Sequence, residues 1–418
     1  MADLSVELAG LRFKNPVVAA SGPIAHSSTT LEKAIKSGLG GVVTKTCTAT
    51  PYFRTYPRME EYLLDFELDP HRIFAHPKGW ALYHRDHLQH QDPEVWVKII
   101  KEKMPLAKEY DCRIIGSIEG GLDANEWKKL AKMHAEAGVE ALELNCCCPH
   151  PGVVSTQYQA GSSGAVGASV GKNAEAVAKA VKAVKEVTGL PVFVKLTPEA
   201  EDPAYIAKVA QEAGADGATI ISRNLSLRID IETGKAIGYT YCSTSGPGTK
   251  EFSMRWVAAT AQLCNIPILA SNGPVEPEDF IEFMMAGATV VETCTALMVY
   301  GYRYVKEILK GMEEFLDRKG YNARDIIGMA LPLGPSSDIP VKFKAKYGVV
   351  DRDKCNGCKR CEEACFYDAL RIENRKSIID PDRCVGCGFC QYLCPQKAIS
   401  YLERASEEEY IAALHKSL

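Results

Sequence analysis

Between residue 12 and about residue 300 one pattern recurs along the chain. A short apolar, β-branched run is followed by a loop and then by an Ala-, Glu- and Lys-rich stretch with apolar residues at helical spacing. The runs Pro16–Ala20, Gly41–Lys45, Arg113–Ile118, Ala141–Asn145, Pro191–Lys195, Gly217–Ser222, Pro267–Ser271 and Thr289–Thr293 predict strands. The stretches between them, such as Ala124–Ala137 and Asn173–Thr188, predict helices. Strand alternating with helix argues for a parallel sheet. Eight such units over about 300 residues fit a closed (β/α)8 TIM barrel better than an open doubly wound sheet.

In a barrel of this kind the chemistry sits where strands end and loops begin. The residues that follow the apolar runs are suited to it: Ser21-Gly22, Lys45-Thr46, Asn145 to Cys148, Lys195 to Thr197, Ser222-Arg223, Asn272-Gly273 and Cys294-Thr295. Two connections are long for a compact domain, which suits lids or binding loops. One runs from about Cys47 to Asp92 and is rich in Tyr, His, Arg and Pro; the other runs from Cys146 to Gly171 and is rich in Gly, Ser and Val. The barrel is expected over residues 1–325. A Pro- and Gly-dense connector follows at 326–349, then a small domain at 350–403 and a charged tail at 404–418 that forms a short helix.

Composition narrows the class. The chain has 418 residues, 46% of them hydrophobic and 24% charged, enough for a large core. A net charge of −4 offers no basic stripe for nucleic acid. Neither a secretory leader nor a run long enough to span a membrane stands out, so a cytoplasmic protein is expected. Of the 16 cysteines, half fall in two tight runs near the C-terminus, which points to cluster binding in a reducing compartment and away from disulfides.

Those runs carry the most specific chemistry in the sequence. The first is Cys355-x2-Cys358-x2-Cys361-x3-Cys365; the second is Cys384-x2-Cys387-x2-Cys390-x3-Cys394, followed by Pro395. Each has the spacing that lets thiolates wrap a cubane iron–sulfur cluster, and two such runs within about 40 residues resemble a bacterial-type two-cluster ferredoxin domain, in which the fourth cysteine of a run ligates the other cluster. One [4Fe–4S] cluster is thus expected on Cys355, Cys358, Cys361 and Cys394, and a second on Cys384, Cys387, Cys390 and Cys365. Zinc is the alternative, but its sites are usually built from separated pairs of ligands. Clusters carry single electrons, whereas an organic substrate usually needs two electrons and a proton. A flavin converts between these regimes and is the expected intermediary.

The stretches NPVVAASG, VVTKT, SIEGGLDANEWKKLA, ALELNCCCPH, VFVKLTPE, GADG and ILASNG resemble the dihydropyrimidine dehydrogenase family and, more distantly, the dihydroorotate dehydrogenases. The nearest architecture is the bacterial type, in which barrel and clusters form one subunit. That resemblance implies FMN across the barrel mouth. Ala20, Ser21, Lys45 and Thr46 would lie along the ring edge, and Lys195 near N1 and O2. Gly248, Asn272, Gly273, Cys294 and Thr295 would surround the phosphate. It also implies that Cys148, in Asn145-Cys146-Cys147-Cys148-Pro149, is the acid or base that exchanges a proton with a substrate carbon. Asn145 would bind substrate and Lys45 would assist, while Cys146 and Cys147 read as small buried residues. An electron-donor protein, either an FAD- and NAD(P)-binding subunit or a ferredoxin, would complete a homo- or hetero-oligomer. No GxGxxG in this chain offers a dinucleotide site of its own.

The departures from the family bear on substrate. Where pyrimidine-reducing relatives have Asn-Thr, this chain has Ser222-Arg223; where they have Thr-Pro-Asn it has Thr197-Pro198-Glu199. The segment Gly79–His90, containing His84, replaces an amide-bearing stretch. An arginine suits a carboxylate or phosphate, so an acidic or non-pyrimidine substrate is expected, with Ser222, Arg223 and His84 on its side of the pocket. The expected activity is reduction, or reversible oxidation, of a C=C bond conjugated to a carbonyl. A dihydroorotate dehydrogenase-like enzyme and a non-catalytic electron-transfer subunit are the alternatives.

Overall fold

The structure is a computed structural model that describes residues 2–51, 61–64, 79–148, 166–237, 241–333 and 345–417. The chain forms two compact units, Met1–Leu333 and Gly334–Leu418, each described here by itself. Most of the Gly/Ser/Val-rich loop after Cys148, and much of the loop between Thr50 and Gly79, lie outside the described residues.

The first unit is a closed parallel barrel. Its strands are β1 (Val17–Ala19), β2 (Gly41–Val43), β3 (Arg113–Glu119), β4 (Ala141–Cys146), β5 (Val192–Leu196), β6 (Gly217–Ile220), β7 (Ile268–Ala270) and β8 (Ala288–Thr293). Each pairs with the next in chain order, and β8 closes on β1 with Val291 opposite Val17. Residues of β1, β2, β4, β5, β6, β7 and β8 are buried along their whole length, which is why the strands read as continuous apolar runs. The paired segments end earlier than several of the apolar runs suggest. Lys45, Ser222 and Ser271 lie just past the ladder and enter the mouth.

The outer helices start on side-chain caps that the sequence supplies. Asp123 accepts from the Asn125 amide, Asn173 from Ala176 and Asp202 from Tyr205. The helix Ala124–Ala137 buries Trp127, Leu130, Ala131, His134 and Ala137, one stripe at helical spacing, and ends on Gly138 in the left-handed conformation. Over the C-terminal end of the barrel lies a four-stranded antiparallel sheet that the hydrophobic pattern did not reveal. It is assembled from Glu61–Leu64, Leu82–Arg85, Asn224–Ser226 and Cys242–Ser245.

In the second unit Lys346–Val350 pairs with Ile399–Glu403, and Leu370–Glu373 pairs with Lys376–Ile379. Two one-turn helices, Arg360–Glu363 and Phe389–Leu393, each follow the CxxC of one cysteine run, and Glu407–Ser417 forms a C-terminal helix. Gly357 and Gly386 occupy matching places in the two runs, both with positive φ. A Cβ there would lie 2.3 Å from Arg375 O and 2.2 Å from Lys346 O respectively, so only glycine fits the tight loop.

Candidate functional site

A cavity opens at the C-terminal mouth of the barrel. Ala20, Ser21, Lys45, Thr46, His84, Asn145, Cys148, Lys195, Ser222, Arg223, Asn272, Gly273, Cys294 and Thr295 all line it, as sequence reasoning expected of residues at strand ends. Gly248 does not: its amide donates to Trp80 O in a turn beside the cavity, so that N–H is not available to an anion.

Asn145 organises the proton-transfer corner. Its Oδ1 accepts from the amides of Cys147 (3.2 Å) and Cys148 (3.1 Å), which fixes the side-chain orientation. Its Nδ2 then points at Cys148 Sγ (3.2 Å) and Thr46 Oγ1 (3.1 Å). Thr46 continues to Ser21 and Ser117, joining three strand ends in one hydroxyl chain. Arg223 Nη2 lies 4.0 Å from Cys148 Sγ, so an amide N–H and a guanidinium both stabilise negative charge on the sulfur. Cys146 is fully buried and its thiol is pushed up by burial. Cys147 is pushed up for the same reason and donates to Asn145 Oδ1 (3.0 Å).

Arg223 has an internal partner that the sequence reading did not identify. It pairs with Asp86, which also takes Lys45 Nζ at 2.6 Å and has His84 Nδ1 at 3.5 Å. Glu199 instead accepts from the Leu225 amide. The Asp86 side chain is 2% exposed, yet the two cations hold its carboxyl well below the usual range against the opposing effect of burial. Burial lowers the His84 imidazole; its Nε2 lies 3.2 Å from Ser245 Oγ. Asp86 thus supplies Arg223 with a counter-charge from within the chain. Two cations against one carboxylate still leave this end of the cavity net positive.

Across the cavity, Lys195 Nζ contacts Glu292 Oε2 at 2.6 Å and Glu143 Oε1 at 3.5 Å. Near them Asn272 adopts φ +68, a conformation Asn tolerates. Its side chain is fixed by two hydrogen bonds, Oδ1 accepting from Thr249 Oγ1 and Nδ2 donating to Asn224 Oδ1, both at 3.0 Å. Burial pushes the Cys294 thiol up to about 11. Asp86 and Glu292 escaped sequence reasoning for different reasons. Asp86 sits in a loop with no motif around it, and Glu292 lies inside an apolar strand run where only its charge stood out.

The second unit contains two small hollows. Cys355, Cys358, Cys361 and Cys394 line one; Cys365, Cys384, Cys387 and Cys390 line the other. Each hollow is thus lined by three cysteines of one run and the fourth cysteine of the other, the ligand set expected for a cluster. Donors are already aimed at the sulfurs. The amides of Ser377, Ala398, Ala369 and Gly348 donate to Cys355, Cys394, Cys365 and Cys384 at 3.2–3.4 Å. The Ser377 and Tyr401 hydroxyls lie 3.4 Å from Cys361 and Cys390.

Comparison with known proteins bears on both units. The dihydroorotate dehydrogenase family model matches residues 3–316, and a 4Fe-4S dicluster domain model matches residues 354–408. The dihydroorotate dehydrogenase B (NAD(+)) catalytic subunit of Pyrococcus abyssi is 32% identical over 330 residues, 78% of this chain and 99% of that one. The corresponding subunit of Bacillus mycoides is 33% identical over 322 residues, 76% of this chain and 94% of that one. The NAD-dependent dihydropyrimidine dehydrogenase subunit PreA of Escherichia coli K12 is 29% identical over 384 residues, 87% of this chain and 85% of that one. Barrel, mouth residues and cysteine hollows together agree with these matches: the chain belongs to the dihydroorotate dehydrogenase family and carries a 4Fe-4S dicluster domain C-terminal to its barrel.

Proposed function

We propose that the protein is an FMN- and iron–sulfur-dependent oxidoreductase of the dihydropyrimidine dehydrogenase type. It reduces, or reversibly oxidises, a C=C bond conjugated to a carbonyl. The observation that carries this reading is the convergence of Cys148, Asn145, Lys45, Arg223 and Lys195 on one barrel-mouth cavity in a chain that also holds two four-cysteine hollows. A dihydroorotate dehydrogenase is less favoured. The match to the Pyrococcus subunit uses up 99% of that protein but 78% of this chain, whereas the match to PreA extends over 87%.

The cavity fits FMN. Gly22 lines it, and a Cβ there would lie 2.5 Å from Cys294 Sγ, so the chain keeps that approach open. Ser222 Oγ is buried without a partner among the described residues and faces the cavity. Ala20, Ser21, Lys45 and Thr46 would flank the ring, Lys195 would oppose its N1–O2 edge, and Asn272, Gly273, Cys294 and Thr295 would hold the phosphate. When bound, FMN supplies hydride exchange and converts single electrons from the clusters into pairs.

The protein's own part is proton handling and orientation. Cys148 Sγ exchanges the proton at the substrate carbon, a role suited to a thiol because its ordinary pKa lies near working pH. Asn145 orients both Cys148 and the substrate carbonyl. The net positive Lys45–Asp86–Arg223 group favours an acidic unsaturated carbonyl compound over a neutral pyrimidine ring. Cys355, Cys358, Cys361 and Cys394 would hold one cluster and Cys384, Cys387, Cys390 and Cys365 the other, and these would supply one-electron transfer from a separate FAD- and NAD(P)-binding subunit or a ferredoxin. Anaerobic reoxidation of the dithionite-reduced flavin by a panel of small unsaturated acids and heterocycles tests the reading. Reoxidation by one class only supports it; no reoxidation by any unsaturated carbonyl compound contradicts it.

A further inference from the structure

Three strands of the barrel bring two carboxyls and one ammonium into contact. Glu143 stands on β4, Lys195 on β5 and Glu292 on β8, and both carboxyl side chains are fully buried. Lys195 Nζ sits 2.6 Å from Glu292 Oε2 and 3.5 Å from Glu143 Oε1. The Thr219 hydroxyl donates to Glu143 Oε2 at 2.9 Å. Lys195 Nζ thus ties the two carboxyls together, and beyond its 3.5 Å ion contact with Glu143, Oε1 of each is buried without a hydrogen-bond partner among the described residues. Two carboxylates against one ammonium would leave a net negative charge in the core, and one proton between the carboxyls removes both the charge and the missing donor.

We propose that Glu143 and Glu292 hold a single shared proton beside Lys195, and that this pair takes up or keeps a proton when negative charge is placed on the FMN ring. The proposal rests on the FMN reading, because Lys195 and Glu292 line the cavity that reading fills. The charged and titratable groups around the pair are Lys195 and, acting on Lys195, the buried Cys147 thiol. Glu119, at the end of β3, acts on Cys146. Burial first, and then repulsion from Glu143, pushes the Glu292 carboxyl up to about 8. Two-electron reduction of FMN with uptake of one proton leaves one negative charge on the ring. Below about pH 8 the pair already holds its proton, so reduction consumes one proton in all. Above that pH the oxidised protein has lost it, and the new charge on the ring draws it back from solvent, so reduction consumes two.

The test is anaerobic redox titration of the FMN in the holoenzyme across about one pH unit either side of 8, paired with infrared spectra in H2O and D2O. The slope of midpoint potential against pH is expected to double above about pH 8 in the unaltered protein. It should stay at one proton per two electrons throughout in Glu292→Gln and in Glu143→Gln. The deuterium-sensitive carbonyl stretch of a buried protonated carboxyl is expected below pH 8 and lost in both variants. A slope break that persists in both variants, or a spectrum without that band, overturns the proposal. Should neither variant fold, fading of the band in the unaltered protein as pH rises through about 8 supports the shared proton, and a band indifferent to pH overturns it. Absence of flavin from the purified protein would count against the FMN reading and against the coupling to it, while the band would still decide the shared proton.

Discussion

Replacing Asp86 by Asn removes the carboxylate that faces Lys45 and Arg223 at the substrate end of the cavity while keeping the side chain's shape. The carboxylate is 2% exposed and faces the side chains of Lys45 (8% exposed) and Arg223 (23% exposed). At 2.6 Å and an effective dielectric of about 20, the Coulomb attraction to Lys45 alone is roughly 6 kcal/mol. Desolvation offsets much of this. Breaking a buried pair by removing one partner typically costs about 3–5 kcal/mol, because it leaves an uncompensated charge. The exposure of Arg223 lets water take up part of the loss, so about 3 kcal/mol is expected, or a fall of roughly 4 °C in the barrel's unfolding temperature. Asp86 titrates lower in the folded protein than in the unfolded chain. Its contribution is therefore fully present above about pH 4 and is lost as pH falls through the folded value, so the variant should lack that part of the acid-side decline. Thermal unfolding followed by flavin release and by tryptophan emission, at several pH values, measures both effects. Stability within about 0.5 kcal/mol of the unaltered protein, with the same acid limb, would refute the account of this cluster.

Other substitutions probe separate parts of the site and scaffold. Cys148→Ala should keep flavin and iron content but lose about 10²–10⁴-fold in turnover, and near-normal rates at several pH values would place the proton transfer elsewhere. Arg223→Gln should raise KM for an acidic substrate by roughly tenfold, at the low end of a charge-assisted contact because Asp86 already engages the guanidinium; an unchanged KM would make Arg223 structural. His134, buried with Nδ1 2.8 Å from Leu130 O, is pushed by burial down to about 4. The unfolded chain thus binds the extra proton first. Stability should fall by about 3 kcal/mol between about pH 6.5 and about pH 4, and His134→Gln should flatten that limb in a denaturant series.

The barrel was legible because its strands are buried on both faces and its helices carry caps and stripes that follow from local chemistry. Alternation of apolar runs with capped helices such as Ala124–Ala137 leaves few other architectures. The sheet over the mouth was not legible. Its strands are three or four residues long, drawn from distant segments such as Leu82–Arg85 and Cys242–Ser245, and Cys-Ser-Thr-Ser has no apolar alternation to read. Strand-end residues such as Lys45 and Cys148 could be named because barrel geometry collects them in one place. Their partners could not, since which carboxylate meets Arg223 depends on a loop path that no periodicity encodes. Asp86 and the buried pair Glu143 and Glu292 are the cost of that blindness. All three are acids in contact with basic residues the sequence did single out.

Anaerobic purification followed by iron, acid-labile sulfide and flavin analysis, with electron paramagnetic resonance of the reduced protein, tests the central claim most directly. The account predicts about eight iron atoms and about eight sulfides per chain, about one releasable FMN, and the spectrum of two interacting reduced [4Fe–4S] clusters. Replacing Cys358 by Ser should remove one cluster signal and slow electron entry to the flavin without displacing it. Zinc in place of iron, or a colourless protein without flavin, would contradict it.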